Sequence, residues 1–291
     1  MYCNTDTKPC RDLSNKKEEI YKQFAESTYQ LMVEMKYGLE SCKKTKDFDL
    51  LDVRKTIVDW QTLEDNYTHS TVSVGLGRTY ARDDRDNNYL IENSGLLGTS
   101  ARTSRYWDDE QWWGNQGNTS ECVAYAWTHW LEDGPFYQAS SPQPILNPNT
   151  VYREAQKIDE WPGENYNGTS VRAGAKILQS LGYIQNYYWT ANLDTLINTV
   201  LNVGPVVVGT QWYRNMFYPT KGTGIIRVSG QIVGGHAYVI NGVDTQKKLF
   251  RIKNSWGRKW GVNGRAFISF TDMNKLIARF GEVCLATEKN P

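Results

Sequence analysis

The sequence predicts an α+β fold of two lobes, preceded by a helical extension. Two observations carry this reading. Up to about residue 72, apolar residues recur at helical spacing in a charged background; from about Ser73, glycine, asparagine and aromatic residues become common and apolar runs shorten. Within the second part, helical signals come first and strand signals follow, a segregation that favours α+β over alternating α/β. A length of 291 residues suits one large domain with an appendage. The boundaries drawn are residues 1–72 for the extension and 73–291 for the main domain.

The elements follow in order. Over residues 15–42, Ile20, Phe24, Leu31, Met35 and Leu39 share one helical face, and Asn15 with Glu18 resembles a capping box. A second helical stretch carries Leu50, Leu51, Val53, Ile57, Val58 and Trp60. The two form a hairpin that must pack on the main domain or on a protein partner. Residues 121–133 read as a buried helix ended by Gly134. Residues 168–181, with Val171, Ala175, Ile177, Leu178 and Leu181, form another, stopped by Gly182; residues 192–202 form a third. Strands are expected at Pro205 to Val208, Ala237 to Ile240, Leu249 to Ile252 and Arg265 to Phe270, with Asn241-Gly242 and Gly261-Val262-Asn263-Gly264 as turn signals.

Composition narrows the function. A net charge of +1 and a pI near 7.6 give no reason to expect a nucleic-acid or membrane partner. No run of apolar residues has the length of a membrane span, and Met1 to Glu19 lacks the apolar core of a signal peptide, so location stays unknown, with cytoplasm, a viral particle and export by another route all open. Basic clusters at Lys43-Lys44 and Arg251 to Arg258 read as solvated faces, and the sequons at Asn66, Asn118 and Asn167 as chance. Five cysteines, Cys3, Cys10, Cys42, Cys122 and Cys284, leave at least one thiol free in any monomeric disulfide scheme. No CxxC or CxxH pair is present, so neither zinc nor a cofactor is expected. Cys284, in a closing strand, reads as a buried inert thiol.

Cys122 opens the helix at 121–133. The positive end of the helix dipole favours thiolate there, and the thiolate is the nucleophile. Taken alone, a cysteine at a helix start is as readily structural. A base is needed, and only three histidines exist. His129 lies two turns along the same helix, too far to share a proton, and His69 sits in a polar stretch. His236, within Gly234-Gly235-His236-Ala237 and directly before a strand, remains. Asn254, at the end of the strand beginning at Leu249, reads either as a turn-former or as the residue orienting the imidazole. It would reach His236 if the two strands pair across Asn241-Gly242. Gln116, six residues before Cys122, can donate to an oxyanion together with the Cys122 backbone N–H.

Gln116-Gly117 with Cys122, Gly234-Gly235-His236-Ala237, and Asn254-Ser255-Trp256-Gly257 followed by Trp260-Gly261 and Asn263-Gly264 resemble the motifs of the papain family of cysteine peptidases. Gly204 to Val208 looks like a family strand, and Asp83, Arg85, Asp86 and Tyr89 resemble a segment found shortly before the mature domain in microbial members. The resemblance covers residue 75 to the C-terminus. Val123 and Glu121 depart from the common pattern, and the paired cysteines of the helical lobe are missing, so the chain looks more like bacterial or bacteriophage members. The resemblance implies a helical left lobe, an antiparallel β right lobe and a cleft between them. It also implies Cys122, His236, Asn254 and Gln116 as catalytic residues, with Trp256 either shielding the Asn–His contact or acting as plain core. The implied activity is hydrolysis of a peptide or protein substrate through a thiolate–imidazolium pair and an acyl-enzyme. Two other readings share the same residues: an amidase cutting cell-wall peptides, and a fold kept as an interaction component of a larger, for example viral, assembly. The extension reads as an inhibitory pro-region or as a docking arm.

Overall fold

Residues 75–107, 112–134 and 143–289 are described by the computed structural model. The expected helices at 15–42 and 50–60, together with Cys3, Cys10, Cys42 and Lys43-Lys44, lie outside these residues. The described helices are α1 (Cys122–Asp133), α2 (Pro148–Ile158), α3 (Val171–Ser180), α4 (Leu193–Asn202) and α5 (Phe270–Ile277). The strands are β1 (Ser104–Tyr106), β2 (Ile184–Thr190), β3 (Val206–Tyr213), β4 (Ile232–Asp244), β5 (Leu249–Lys253), β6 (Arg265–Ser269) and β7 (Glu282–Glu288). The helix at 192–202 starts at Asn192, whose side chain accepts from the N–H groups of Asp194 and Thr195. Ser170 caps α3 in the same way through Ala173 N.

The strands form one antiparallel sheet in the order β2-β7-β3-β4-β5-β6, with β1 on β4. Its central strands are apolar on both faces, and alternation assigns each face to a different core. Val207, Ala237, Val239, Cys284 and Ala286 pack with Val123, Trp127 and Trp130 of α1 and with residues of α2 and α3. Val206, Val208, Tyr238, Ile240, Val283 and Leu285 pack with Leu196 and Val200 of α4 and Met273 and Leu276 of α5. These two cores are the two lobes, the first helical and the second mainly β. Among the described residues no helix is long and apolar enough to cross a membrane.

Several sequence expectations need correction. Asn241-Gly242 is not a turn. It lies inside β4, where the register with β5 shifts between Ile240 and Gly242. The buried Asn241 amide donates to Asp133 Oδ2 at 2.8 Å and accepts from Arg251 Nε at 3.0 Å. Gly242 lets the Tyr106 ring approach to where a Cβ would stand 2.4 Å from it. The reversal comes instead at residues 245–248 and ends on Lys248 at φ 55. The strand expected to end at Phe270 ends at Ser269, whose hydroxyl caps α5 through Asp272 N. Nor is Arg251 to Arg258 a solvated face throughout. Lys253 is fully buried and paired with the equally buried Asp133 at 2.5 Å. Long charged side chains are almost never fully buried unless paired, and the pair ties the C-terminal end of α1 to the residue preceding Asn254. Cys284 is a free, buried thiol in β7, as its strand context suggests.

Candidate active site

Cys122 is the first residue of α1 and fully buried. Its Sγ accepts from the N–H of Ala237 at 3.3 Å, so the end of α1 meets β4 one residue beyond His236. The β4–β5 register sets Val239 opposite Lys253, which delivers Asn254, the next residue, to the histidine. His236 Nε2 lies 2.8 Å from Asn254 Oδ1. The same Oδ1 accepts from Ser255 N at 2.8 Å, so it is the amide oxygen, and Nε2 must carry the proton. Nδ1 is then the basic nitrogen; it has no hydrogen-bond partner among the described residues. Trp256 stacks on the His236 ring at 4.7 Å between centroids, and Trp212 meets that ring edge-on at 4.8 Å. Trp256 thus packs against the imidazole. Trp212 does so as well, and its place in β3 gave no signal in the sequence.

Gln116 packs against the same segment. Its Oε1 accepts from Ser255 Oγ and its backbone N–H donates to Ser255 O at 2.8 Å. Its Nε2 donates to Thr119 O at 2.8 Å and to Leu76 O at 3.2 Å. Both amide hydrogens are therefore occupied. His129 has a structural part: its Nε2 accepts from Gly114 N at 3.0 Å, between the rings of Trp112 and Trp113.

Leu76 belongs to a stretch that lies over the site. Trp256 Nε1 donates to Gly75 O at 2.8 Å. Gly77 N and Arg78 N both donate to Gly235 O at 3.1 Å. On the other side, Thr169 N donates to Gly77 O and Thr79 N to Thr169 O, each at 3.0 Å. The segment 75–79 is thus held by Gly235 and Trp256 from the β lobe and by Thr169, through an isolated bridge at Arg78, from the helical lobe. A Cβ on Gly77 would stand 2.1 Å from Ser120 O. Cys122 and His236 lie beneath this cover with no exposed surface.

Burial shifts both members of the pair. Burial pushes the Cys122 thiol up to about 12, against the pull of the Ala237 N–H. Burial also drives His236 down to about 4, against its hydrogen bond to Asn254. A helix terminus contributes up to about 2 kcal/mol, roughly one pKa unit or a little more, whereas full burial shifts a group by ~3–5 units. Desolvation is the larger effect on both groups, and it opposes the charged form of each. A histidine kept neutral by burial adds stability above its unfolded pKa of about 6.5, lost as pH falls through its folded value. His129, buried and also held well below its ordinary range, acts in the same sense. The thermal transition is expected to fall as pH drops from about 6.5 to 4, with a shallower slope in a His236→Gln chain.

Fold and site together define a two-lobed thiol-hydrolase architecture. The family model described as papain family cysteine protease matches residues 109–279, and the chain belongs to that family. A protein of Acanthamoeba polyphaga mimivirus described as an uncharacterized peptidase C1-like protein is 32% identical over 99 residues, which is 31% of this chain and 32% of that one. The aligned stretch thus spans about a third of that relative's length. Xylellain, a cysteine protease from Xylella fastidiosa, matches in structure with a TM-score of 0.61 at 18% identity, covering 74% of this chain and 96% of that one. That likeness is one of fold.

Sequence reasoning missed Leu76, Gly77 and Arg78 as occupants of the cleft, and Ser255 as the partner of Gln116. Ser255 was visible as part of Asn-Ser-Trp-Gly. The cover carries no motif; Gly75 and Gly77 flanking Leu76 were its only trace.

Proposed function

We propose that this chain is a cysteine endopeptidase in a latent form, its peptidase domain over residues 73–291 blocked by its own residues 75–79. The observation that carries the reading is the chain of contacts from Asn254 Oδ1 to His236 Nε2 at 2.8 Å and from the adjoining Ala237 N–H to Cys122 Sγ at 3.3 Å. Once the cover leaves, water and the helix dipole favour transfer of the Cys122 proton to His236 Nδ1. The thiolate adds to a peptide carbonyl carbon, and the oxyanion takes the Cys122 N–H and a Gln116 Nε2 hydrogen freed from Leu76 O. His236 returns its proton to the leaving amine as the C–N bond breaks. Water, deprotonated by His236, then releases the acyl group from sulfur. Trp256 and Trp212 keep water from the His236–Asn254 bond.

The cover supports a peptide substrate directly, because a length of extended polypeptide fits the cleft with backbone hydrogen bonds on both sides. The cell-wall amidase reading uses the same pair and is set apart by the substrate. The test is hydrolysis of casein and of purified cell walls by the chain carrying Gly77→Ala, which lifts the cover, each before and after alkylation of Cys122. Casein hydrolysis abolished by alkylation is the expected result. Hydrolysis of walls alone would move the assignment to an amidase, and no hydrolysis of either would leave a non-enzymatic assembly role. The extension over residues 1–72 is proposed as the element that sets the cover in place or docks a protein partner.

A further inference from the structure

Arg78, at the centre of the cover, does not point to solvent. Its side chain is 3% exposed and lies in the space beside Gly209, between Val171 and Glu282. There Nε bonds Glu282 Oε1 at 2.9 Å and Nη2 bonds the carbonyl of Phe280 at 2.7 Å. Two glycines make the room. A Cβ on Gly209 would lie 2.7 Å from Glu282 Oε1 and 2.8 Å from Arg78 Nε, and one on Gly235 would lie 2.1 Å from Arg78 O. Val171 completes the wall. Glu282 is the first residue of β7 and pairs with Gly209 of β3, so the carboxylate is fixed by the sheet rather than by a loop. The Arg172 charge favours this carboxylate and the Asp86 charge opposes it.

The backbone of residues 77–79 is gripped through Thr169 and Gly235, contacts available to any extended chain. The side chain between those contacts is the part the protein reads. We propose that the pocket walled by Val171, Gly209 and Gly235 and closed by Glu282 is the specificity pocket for substrate, and that it selects arginine, for which Arg78 is the stand-in. An apolar side chain there would leave the Glu282 carboxylate desolvated and without its partner, which is costlier than a lost contact. A lysine would keep the charge but not the directed pair of bonds to carboxylate and carbonyl.

This rests on the cleft being a peptide-binding site, and the test separates the two claims. A full-length chain carrying Gly77→Ala, Arg78→Ala and Cys122→Ala loosens the cover, vacates the pocket and cuts nothing. Its binding is measured by fluorescence anisotropy against labelled tetrapeptides in which one position at a time is Arg, Lys, Leu or Gln. Arg at one position is expected to bind roughly ten- to a hundredfold tighter than Leu, and adding Glu282→Gln is expected to erase the difference. Equal binding, a preference that survives Glu282→Gln, or no binding by any peptide overturns the inference. If Arg78→Ala loses the cooperative unfolding of the parent chain, Arg78→Gln takes its place. Hydrolysis by the chain with Cys122 restored is scored separately. Arginine-selective binding without hydrolysis would keep the pocket and remove the peptidase reading; hydrolysis without arginine preference would do the reverse.

Discussion

Gly77→Ala is expected to expose Cys122 and speed its alkylation by iodoacetamide on the order of a thousandfold at neutral pH. Two facts combine at this residue. Its φ of 131° belongs to a region that side chains other than glycine rarely adopt, and the new methyl would stand 2.1 Å from the Ser120 carbonyl. Neither partner yields cheaply, because both are backbone and Ser120 leads directly into α1. The segment must lift, and with it go the bonds to Thr169 and Gly235. A thiol near 12 is ionised in only about one molecule in 10⁴ or fewer near pH 7.5. A solvated thiolate at a helix start beside an imidazolium is ionised in most molecules. An unchanged alkylation rate would mean that residues 75–79 are not what keeps Cys122 unreactive.

Cys122→Ser is expected to lower peptide hydrolysis by the uncovered chain on the order of 10⁴-fold or more, the scale seen when a nucleophile of a catalytic set is lost. The serine hydroxyl has nearly the same volume, so burial against Ala237 and the packing of Val123 are retained and stability changes little. What is lost is ionisation. His236 can share a proton with a thiol far more readily than with an aliphatic hydroxyl. Adding His236→Ala to Cys122→Ser is expected to cost little more, since groups that act as a unit are not additive. Two separate, multiplying losses would mean that they do not work as a pair. Activity kept in Cys122→Ser would place the chemistry elsewhere in the chain.

The residues of the candidate site were legible, and for different reasons. Gln116, Cys122, His236 and Asn254 were set by order and spacing, because each chemical role admits few residue types. Scarcity also helped, with one suitable histidine among three. Helices α1, α3 and α4 were readable because amphipathic spacing and capping residues are local. Helix α2 and strand β2 were not marked. The first is short, with Val151 and Ala155 as its buried aliphatic positions, and the second sets exposed Gln185 and Asn186 before half-buried Tyr187 and Tyr188, which suit a loop as well as an edge strand. Asn241-Gly242 misled because a local turn signal yielded to the buried contacts of Asn241 with Asp133 and Arg251. Lys253 misled for the same reason, since charge alone did not reveal the buried carboxylate waiting on α1.

By itself the sequence determined the family, the two-lobed fold and the four residues proposed for catalysis, because these depend on residue type and spacing along the chain. Only the tertiary structure decided the state of that site. Residues 75–79 reach Gln116, Thr169 and Gly235 from far away in sequence, and Cys122 and His236 are fully buried. Desolvation has no sequence signature, yet it acts against the expected ion pair, pushing the Cys122 thiol up and the His236 imidazole down. The meeting of Arg78 with Glu282 was decided in the same way, by two residues at opposite ends of the described domain that only the folded sheet brings within a hydrogen bond.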